Sequence, residues 1–191
     1  MTKDDIIALP NPHLRQKSQR VGVVTEEIID IVKAMKDATI SWDTSRAHEV
    51  GVALAAVQID KLYKIIVVRN DYNNKEDHTF TTFINPKITK LEGVQMIDYE
   101  GCLSVPSIYG KVARYSRVKL KAMDLDGKEF RVTAEGFLAR IFQHEIDHIN
   151  GIVFIDHIRD NADAFYELDK NGELQKLDYE LKVKNNKQLW E

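Results

Sequence analysis

The sequence predicts an α+β domain in which antiparallel strands pack around one central helix carrying a His-Glu-x-x-His motif. Three observations predict it. RVKLKAMDLDGKEFRVTAE, residues 117–135, places two alternating runs on either side of Asp126-Gly127, the pattern of a hairpin. GFLARIFQHEIDHING, residues 136–151, repeats Phe137, Leu138, Ile141, Phe142, Ile146 and Ile149 at helical spacing, with Gly151 placed to end the helix. VALAAVQI and YKIIVVRN are short runs rich in β-branched residues and read as buried strands.

The remaining elements follow along the chain. Residues 1–20 read as an extended, turn-rich arm, because Pro10 and Pro12 block a helix. Thr25 can cap a helix whose apolar positions are Ile28, Ile29, Val32, Met35 and Ile40, and WDTSRAHEVG after it reads as a polar loop ending in Gly51. TFTTFINP is a strand, reached from YKIIVVRN through the loop DYNNKEDH, and residues 94–99 are another strand running into EGCLSVP. Asn171-Gly172 marks a second hairpin within FYELDKNGELQKLDY, and the tail KVKNNKQLWE reads as polar and loose.

With 191 residues the chain can bury one good core but not two. A net charge of −3 and a pI of about 6.1 argue against a dedicated nucleic-acid binder, so no DNA partner is expected. No apolar run approaches a membrane span, and the N-terminus resembles neither a secretory signal nor a transit peptide. A cytoplasmic monomer with no membrane partner is the expectation. The single cysteine, Cys102, cannot form an intramolecular disulfide.

On a helix, His144 and His148 lie on one face and can offer two imidazole nitrogens to one ion, with Glu145 beside them to act on a water that the ion acidifies. The competing reading is a polar stripe on an ordinary helix, but apolar residues flank the motif, and buried histidines need partners. A catalytic site needs a third protein ligand and an open fourth position. The candidates are His157 and Glu167 downstream, as in a metallopeptidase, or Cys102 upstream in EGCLSVP, where Gly101 lets the backbone approach another group. A binding protein without turnover and a closed structural metal site are the alternatives to an enzyme.

GVALAAVQ, EGCLSVP and QHEIDH resemble, in order and spacing, the three motifs of the bacterial peptide deformylases: G-x-G-L-A-A-x-Q, E-G-C-L-S and Q-H-E-x-D-H. The resemblance runs from about residue 5 to about residue 160. It implies a catalytic domain over residues 1–160, with 161–191 a C-terminal extension of the same domain. It implies that Cys102, His144 and His148 bind one divalent metal ion, Fe2+ in the cell, with Zn2+, Ni2+ or Co2+ able to occupy the site. Glu145 would be the general acid and base, and the Gln58 side chain and the Leu103 backbone N–H would donate to the oxyanion. The implied activity is hydrolytic removal of the formyl group from N-terminal formyl-methionine of nascent polypeptides, releasing formate. Gly51, Val52, Ala53, Glu100 and Gly101 would lie along the peptide path, with Ile141 in the methionine pocket. A transient ribosome contact through the lysines of the last segment is a further implied partner.

The sequence departs from the family pattern at Ala53, in place of the second glycine of the first motif, and at Asp98, where many relatives carry an apolar or small residue. The Ala53 methyl group would either crowd the substrate backbone or be tolerated if φ is negative there; Asp98 would alter preference if it faced the pocket mouth. Arg114 could pair with Glu100 or Asp147, and Asp147 could orient a metal-binding histidine or simply face solvent.

Overall fold

The computed structural model describes residues 1–45 and 49–190. Its frame is a seven-stranded antiparallel sheet with strand order β1-β2-β3-β4-β6-β7 and β5 paired to β4. The strands are β1 (Ala53–Ala55), β2 (Ile65–Arg69), β3 (Phe80–Cys102), β4 (Val105–Met123), β5 (Glu129–Glu135), β6 (Phe165–Leu168) and β7 (Leu174–Lys176). The helices are α1 (Glu26–Thr44), α2 (Gly136–His148) and the short α3 (Lys187–Trp190).

The continuous apolar run of β2 follows from burial on both faces. Ile66 and Val68 join the core beneath α2, while Ile65 and Val67 join the core beneath α1. β1 repeats the alternation, with Ala53 and Ala55 toward α2 and Leu54 toward α1. The expected strand through VALAAVQI stops at Ala55; Ala56–Ile59 forms a 3-10 turn. The Gln58 side chain accepts from the Ala55 N–H and closes that turn, a local bond that hydrophobic pattern does not reveal.

TFTTFINP and residues 94–99 are one strand, β3, bent by irregularities at Ile84/Lys87, Ile88/Lys90 and Glu92/Gln95. Its partner β4 begins at Val105, well before the alternating run at residue 117. Bulges break the alternation of side chains without ending the ladder, which is why the sequence reads as separate strands. The hairpin at Asp126-Gly127 forms as expected between β4 and β5, and the one at Asn171-Gly172 forms between β6 and β7.

α1 runs through Trp42, Asp43 and Thr44, which the sequence suggested as loop; the Arg46, Ala47 and His48 part of that loop lies outside the described residues. Thr25 occupies the cap position without a side-chain cap bond, and Ile31 is buried where Ile29 is 48% exposed. The C-terminal tail is packed, not loose. Val183 is fully buried and Leu189 nearly so, in the cluster that also holds Phe154, Ile158 and Phe165. The Trp190 indole N–H donates to Val183 O, and Arg15 donates to Leu189 O at 2.7 Å.

α2 ends where Gly151 takes φ +78°, and a Cβ there would stand 2.5 Å from Arg15 O, so glycine is required both for conformation and for the close approach. The helix is tied to the sheet by buried ions. Arg114 on β4 bonds both oxygens of Glu100 on β3, at 2.9 and 3.0 Å, and reaches Asp147 on α2 at 2.6 Å. Arg140 on α2 meets the same Glu100 at 2.8 Å and donates to the carbonyls of Val112 and Met96. The Glu100, Arg114 and Arg140 side chains are almost wholly buried. Removing one member of such a group leaves its partners charged in a dry site. Arg114→Met is therefore expected to lower stability by about 3–5 kcal/mol, read by urea denaturation; a loss under about 1 kcal/mol would mean the group behaves as a surface ion pair.

Candidate metal and catalytic site

Three segments meet at one point. β3 ends at Cys102, which pairs with Val105 across the Leu103-Ser104 turn, and the C-terminal half of α2 presents His144 and, one turn on, His148. Cys102 Sγ lies 3.1 Å from His148 Nε2, and the ligand atoms of Cys102, His144 and His148 all fall within 4.8 Å of one another. One ion with bonds of about 2.0–2.3 Å can gather such a set. His144 Nδ1 is 3.0 Å from Glu100 Oε2, which fixes the ring and leaves Nε2 for an ion.

The electrostatics suit a cation. Burial opposes charge on His144, yet the neighbouring Cys102 and Glu100 outweigh it and raise its pKa well above the ordinary value. Burial drives His148 the other way, well below its ordinary value. Burial would raise the Glu100 carboxyl, but the His144 and Arg114 hydrogen bonds hold it well below the usual range. Two imidazoles and a thiol form a donor set that ferrous iron or zinc accepts. A divalent ion therefore fits these residues.

Glu145, 5% exposed, has a buried oxygen, Oε2, with no partner in the protein. Burial pushes its carboxyl up to about 7, with the charge of Glu100 adding to the shift and His144 opposing it. Gln58 Nε2 lies 3.6 Å from Cys102 Sγ and 3.2 Å from Ser104 Oγ, and the Ala55 N–H on Oε1 sets which way the amide faces.

A cavity of about 350 Å³ opens onto this group, with Gln58, Cys102, Leu103, His144 and Glu145 in its lining. Gly51, Val52, Ala53, Glu100, Gly101 and Ile141 line it too, so every residue that the motifs singled out except His148 reaches one space, and His148 joins the group through Cys102 Sγ. Glu100 differs from the others in that both its carboxylate oxygens are engaged with Arg114, Arg140 and His144. Gly101 is required by close approach: a Cβ would stand 2.6 Å from the Tyr109 ring. Ala53 lies in β1 and is not among the residues with positive φ, so its backbone carries the methyl group without strain. Asp98 is exposed and does not line the cavity; its carboxylate accepts from the Tyr99 N–H.

Asp147 contacts Arg114 and His157, so these bonds brace the sheet rather than orient His144 or His148. His157 is thereby engaged away from the triad, and Cys102 is the third ligand candidate that geometry brings in. Sequence reasoning missed Arg140 and Ser104. An arginine inside the apolar stripe FLARIF was a legible signal, since a buried guanidinium demands an acid. Ser104 gave no signal beyond its place beside Cys102.

The match to a family model described as polypeptide deformylase spans residues 3–164. A peptide deformylase of Thermomicrobium roseum is 45% identical over 88% of this chain and 93% of its own length. One from Acinetobacter baumannii is 41% identical over 80% of this chain and 81% of its own. Among solved structures, a peptide deformylase from Synechococcus elongatus in complex with actinonin superposes with a TM-score of 0.73 at 31% identity, covering 82% of this chain and 80% of that one. A peptide deformylase from Legionella pneumophila gives 0.70 at 36% identity, covering 80% and 83%. By family model, by sequence identity and by superposition, this chain belongs to the polypeptide deformylase family, whose members are metal-dependent hydrolases.

Proposed function

We propose that this protein removes the formyl group from the N-terminal formyl-methionine of nascent polypeptides and releases formate. The observation that carries the reading is the gathering of Cys102, His144 and His148 within 4.8 Å, at a cavity lined by Cys102, His144 and Glu145. The proposed cellular ion is Fe2+, with Zn2+, Ni2+ or Co2+ able to replace it, on the strength of the mixed thiol and imidazole donors. Bound there, a divalent ion supplies Lewis acidity toward the formyl oxygen and toward water.

Glu145 takes the proton of the attacking water and returns it to the departing amine nitrogen. An amide nitrogen leaves poorly unless protonated, so one carboxyl must serve as base and then as acid. The Gln58 side-chain amide and the Leu103 backbone N–H are the proposed donors to the oxyanion; the fixed orientation of the Gln58 amide supports its part.

The peptide is proposed to lie between Gly51, Val52 and Ala53 on one side and the backbone of Glu100 and Gly101 on the other, with Ile141 against the methionine. β1 stands at the end of the strand order, which leaves an edge for an extended chain. Residues 1–160 are proposed as the catalytic part, with 161–191 an extension sharing its core, in keeping with a family match that ends at 164 and a cluster joining Phe154 to Leu177 and Val183. A cytoplasmic monomer is the proposed state; among the described residues no helix is long and apolar enough to cross a membrane. Transient ribosome contact is supported by Lys176, Lys182, Lys184 and Lys187, although the first three face Asp163, Glu167 and Glu180.

Three outcomes are expected. Glu145→Gln should cut formate release from a short formyl-Met peptide by about 10²–10⁴-fold while the metal content, read by atomic absorption, stays that of the parent; undiminished release rules out the acid–base role. Cys102→Ser should lose the metal under mild chelation that the parent withstands. Retention would favour a peptidase-like ligand set that does not use Cys102. Replacing the four lysines by glutamine should weaken pelleting with ribosomes, more so at low salt, and unchanged pelleting removes the docking idea.

A further inference from the structure

A buried ion pair at the C-terminal end of β2 stands apart from the site described above. Arg69 closes the apolar run IIVVR; its side chain is wholly buried, and that of Asp43 on α1 is 5% exposed. Alternation puts Arg69 on the face of Ile65 and Val67, toward α1. Its guanidinium lies 5.0 Å from the ring centroid of Phe80, its cross-strand partner, and bonds the Asp43 carboxylate. Neither Asp43 nor Arg69 lines the cavity.

What the pair holds does line it. The Gly51 N–H donates to Asp43 Oδ1 at 2.6 Å, and Gly51 O accepts from Arg69 Nε at 3.1 Å. Both polar groups of one residue are thus bound by the two halves of one ion pair. The Arg69 backbone N–H donates to Val52 O at 2.9 Å. Packing adds to the hold: a Cβ on Gly51 would stand 2.8 Å from Thr39 Cγ2 and 3.3 Å from Asp43 Oδ1.

The consequence falls on the residues that follow. Val52 turns its carbonyl toward β2, so by strand alternation Ala53 turns its N–H and C=O to the outer edge of β1. That edge borders the cavity, where the peptide backbone is proposed to lie. Hydrogen bonds weaken steeply away from linearity, so such an edge must be fixed in rotation as well as in place. β1 is only three residues long, and charge-assisted bonds at its entry supply a hold that so short a ladder lacks.

We infer that Asp43 and Arg69 are positioning residues for the substrate: they fix Gly51, and through it the Val52–Ala53 edge, without touching the peptide. This rests on the deformylase reading above. The same guanidinium donates to the carbonyls of Lys75 and Asp77, so a purely structural role is the competing account.

The test measures formate release by the metal-loaded full chain from two substrates. N-formyl-Met-Ala-Ser amide has main chain to lay along the edge, and N-formyl-Met amide has little. Asp43→Ala removes the acceptor of the Gly51 N–H. Arg69→Lys removes the donor to Gly51 O and keeps a cation for Asp43. Val183→Ala, in the C-terminal core, is the control for lost stability. In Asp43→Ala and Arg69→Lys, KM for the longer peptide should rise about tenfold, the scale of one hydrogen bond, with kcat within about twofold of the parent and metal content unchanged. The advantage of the longer substrate in kcat/KM should shrink by the same factor. Val183→Ala should keep that advantage even where its melting temperature falls as far. If Asp43→Ala does not fold, Arg69→Lys decides alone. A parent that shows no advantage for the longer substrate, or variants that keep the parent's KM or lose both substrates equally, would overturn the positioning role. A parent that releases no formate from either substrate would overturn the deformylase reading instead.

Discussion

The Glu100 carboxylate is the constraint on which the site depends. It lies 3% exposed at the end of β3 and accepts from Arg114 on β4 and from Arg140 on α2. Its second oxygen also faces the ring of His144. One anion thus joins two strands to the helix and sets the orientation of a metal-ligand candidate. The strand it ends also carries Cys102, two residues on. Any shift of Glu100 would move the thiol and an imidazole relative to each other.

The arrangement is costly in isolation. Burying two guanidinium groups and a carboxylate forfeits hydration, and well-packed apolar residues often serve stability as well or better. Here the charges nearly balance, with Arg114 and Arg140 against Glu100 and Asp147. The return is positional: charge-assisted bonds of 2.6–3.0 Å fix the helix on the sheet with a directionality that apolar packing lacks. The apolar core beneath α2, with Phe83 edge-on to Phe142, sets the depth of the helix, and the ions set its rotation and slide. The same dry surroundings leave Glu145 without a hydrogen-bond partner at Oε2 and lift its carboxyl toward neutrality.

Much of the site was legible because its chemistry is written in short local spacing. Two histidines one helical turn apart around a glutamate, and a cysteine after a glycine, are patterns that need no tertiary information. The two hairpins were legible for the same reason, since Asp-Gly and Asn-Gly turns are local signals. Elements whose shape depends on distant partners were not. The bulged β3 read as two strands, the Gln58 turn read as strand, and the C-terminal tail read as loose, although Val183 and Leu189 bury against Phe154. In the tail the apolar positions are few and widely spaced, so periodicity carried too little signal there.

By itself the sequence determined the fold class, the helix that bears His144, Glu145 and His148, the candidate thiol at Cys102, and the family resemblance. Only the tertiary structure decided that Cys102, and not His157 or Glu167, comes within reach of those histidines, because Asp147 and Arg114 hold His157 elsewhere. It also decided that Asp147 braces the sheet, that Glu100 turns its carboxylate inward, and that the C-terminal hairpin borders the cavity. The physical reason is separation along the chain. A helix turn fixes neighbours four residues apart by backbone geometry, whereas Cys102 and His148 stand 46 positions apart and meet only when β3, β4 and α2 have packed.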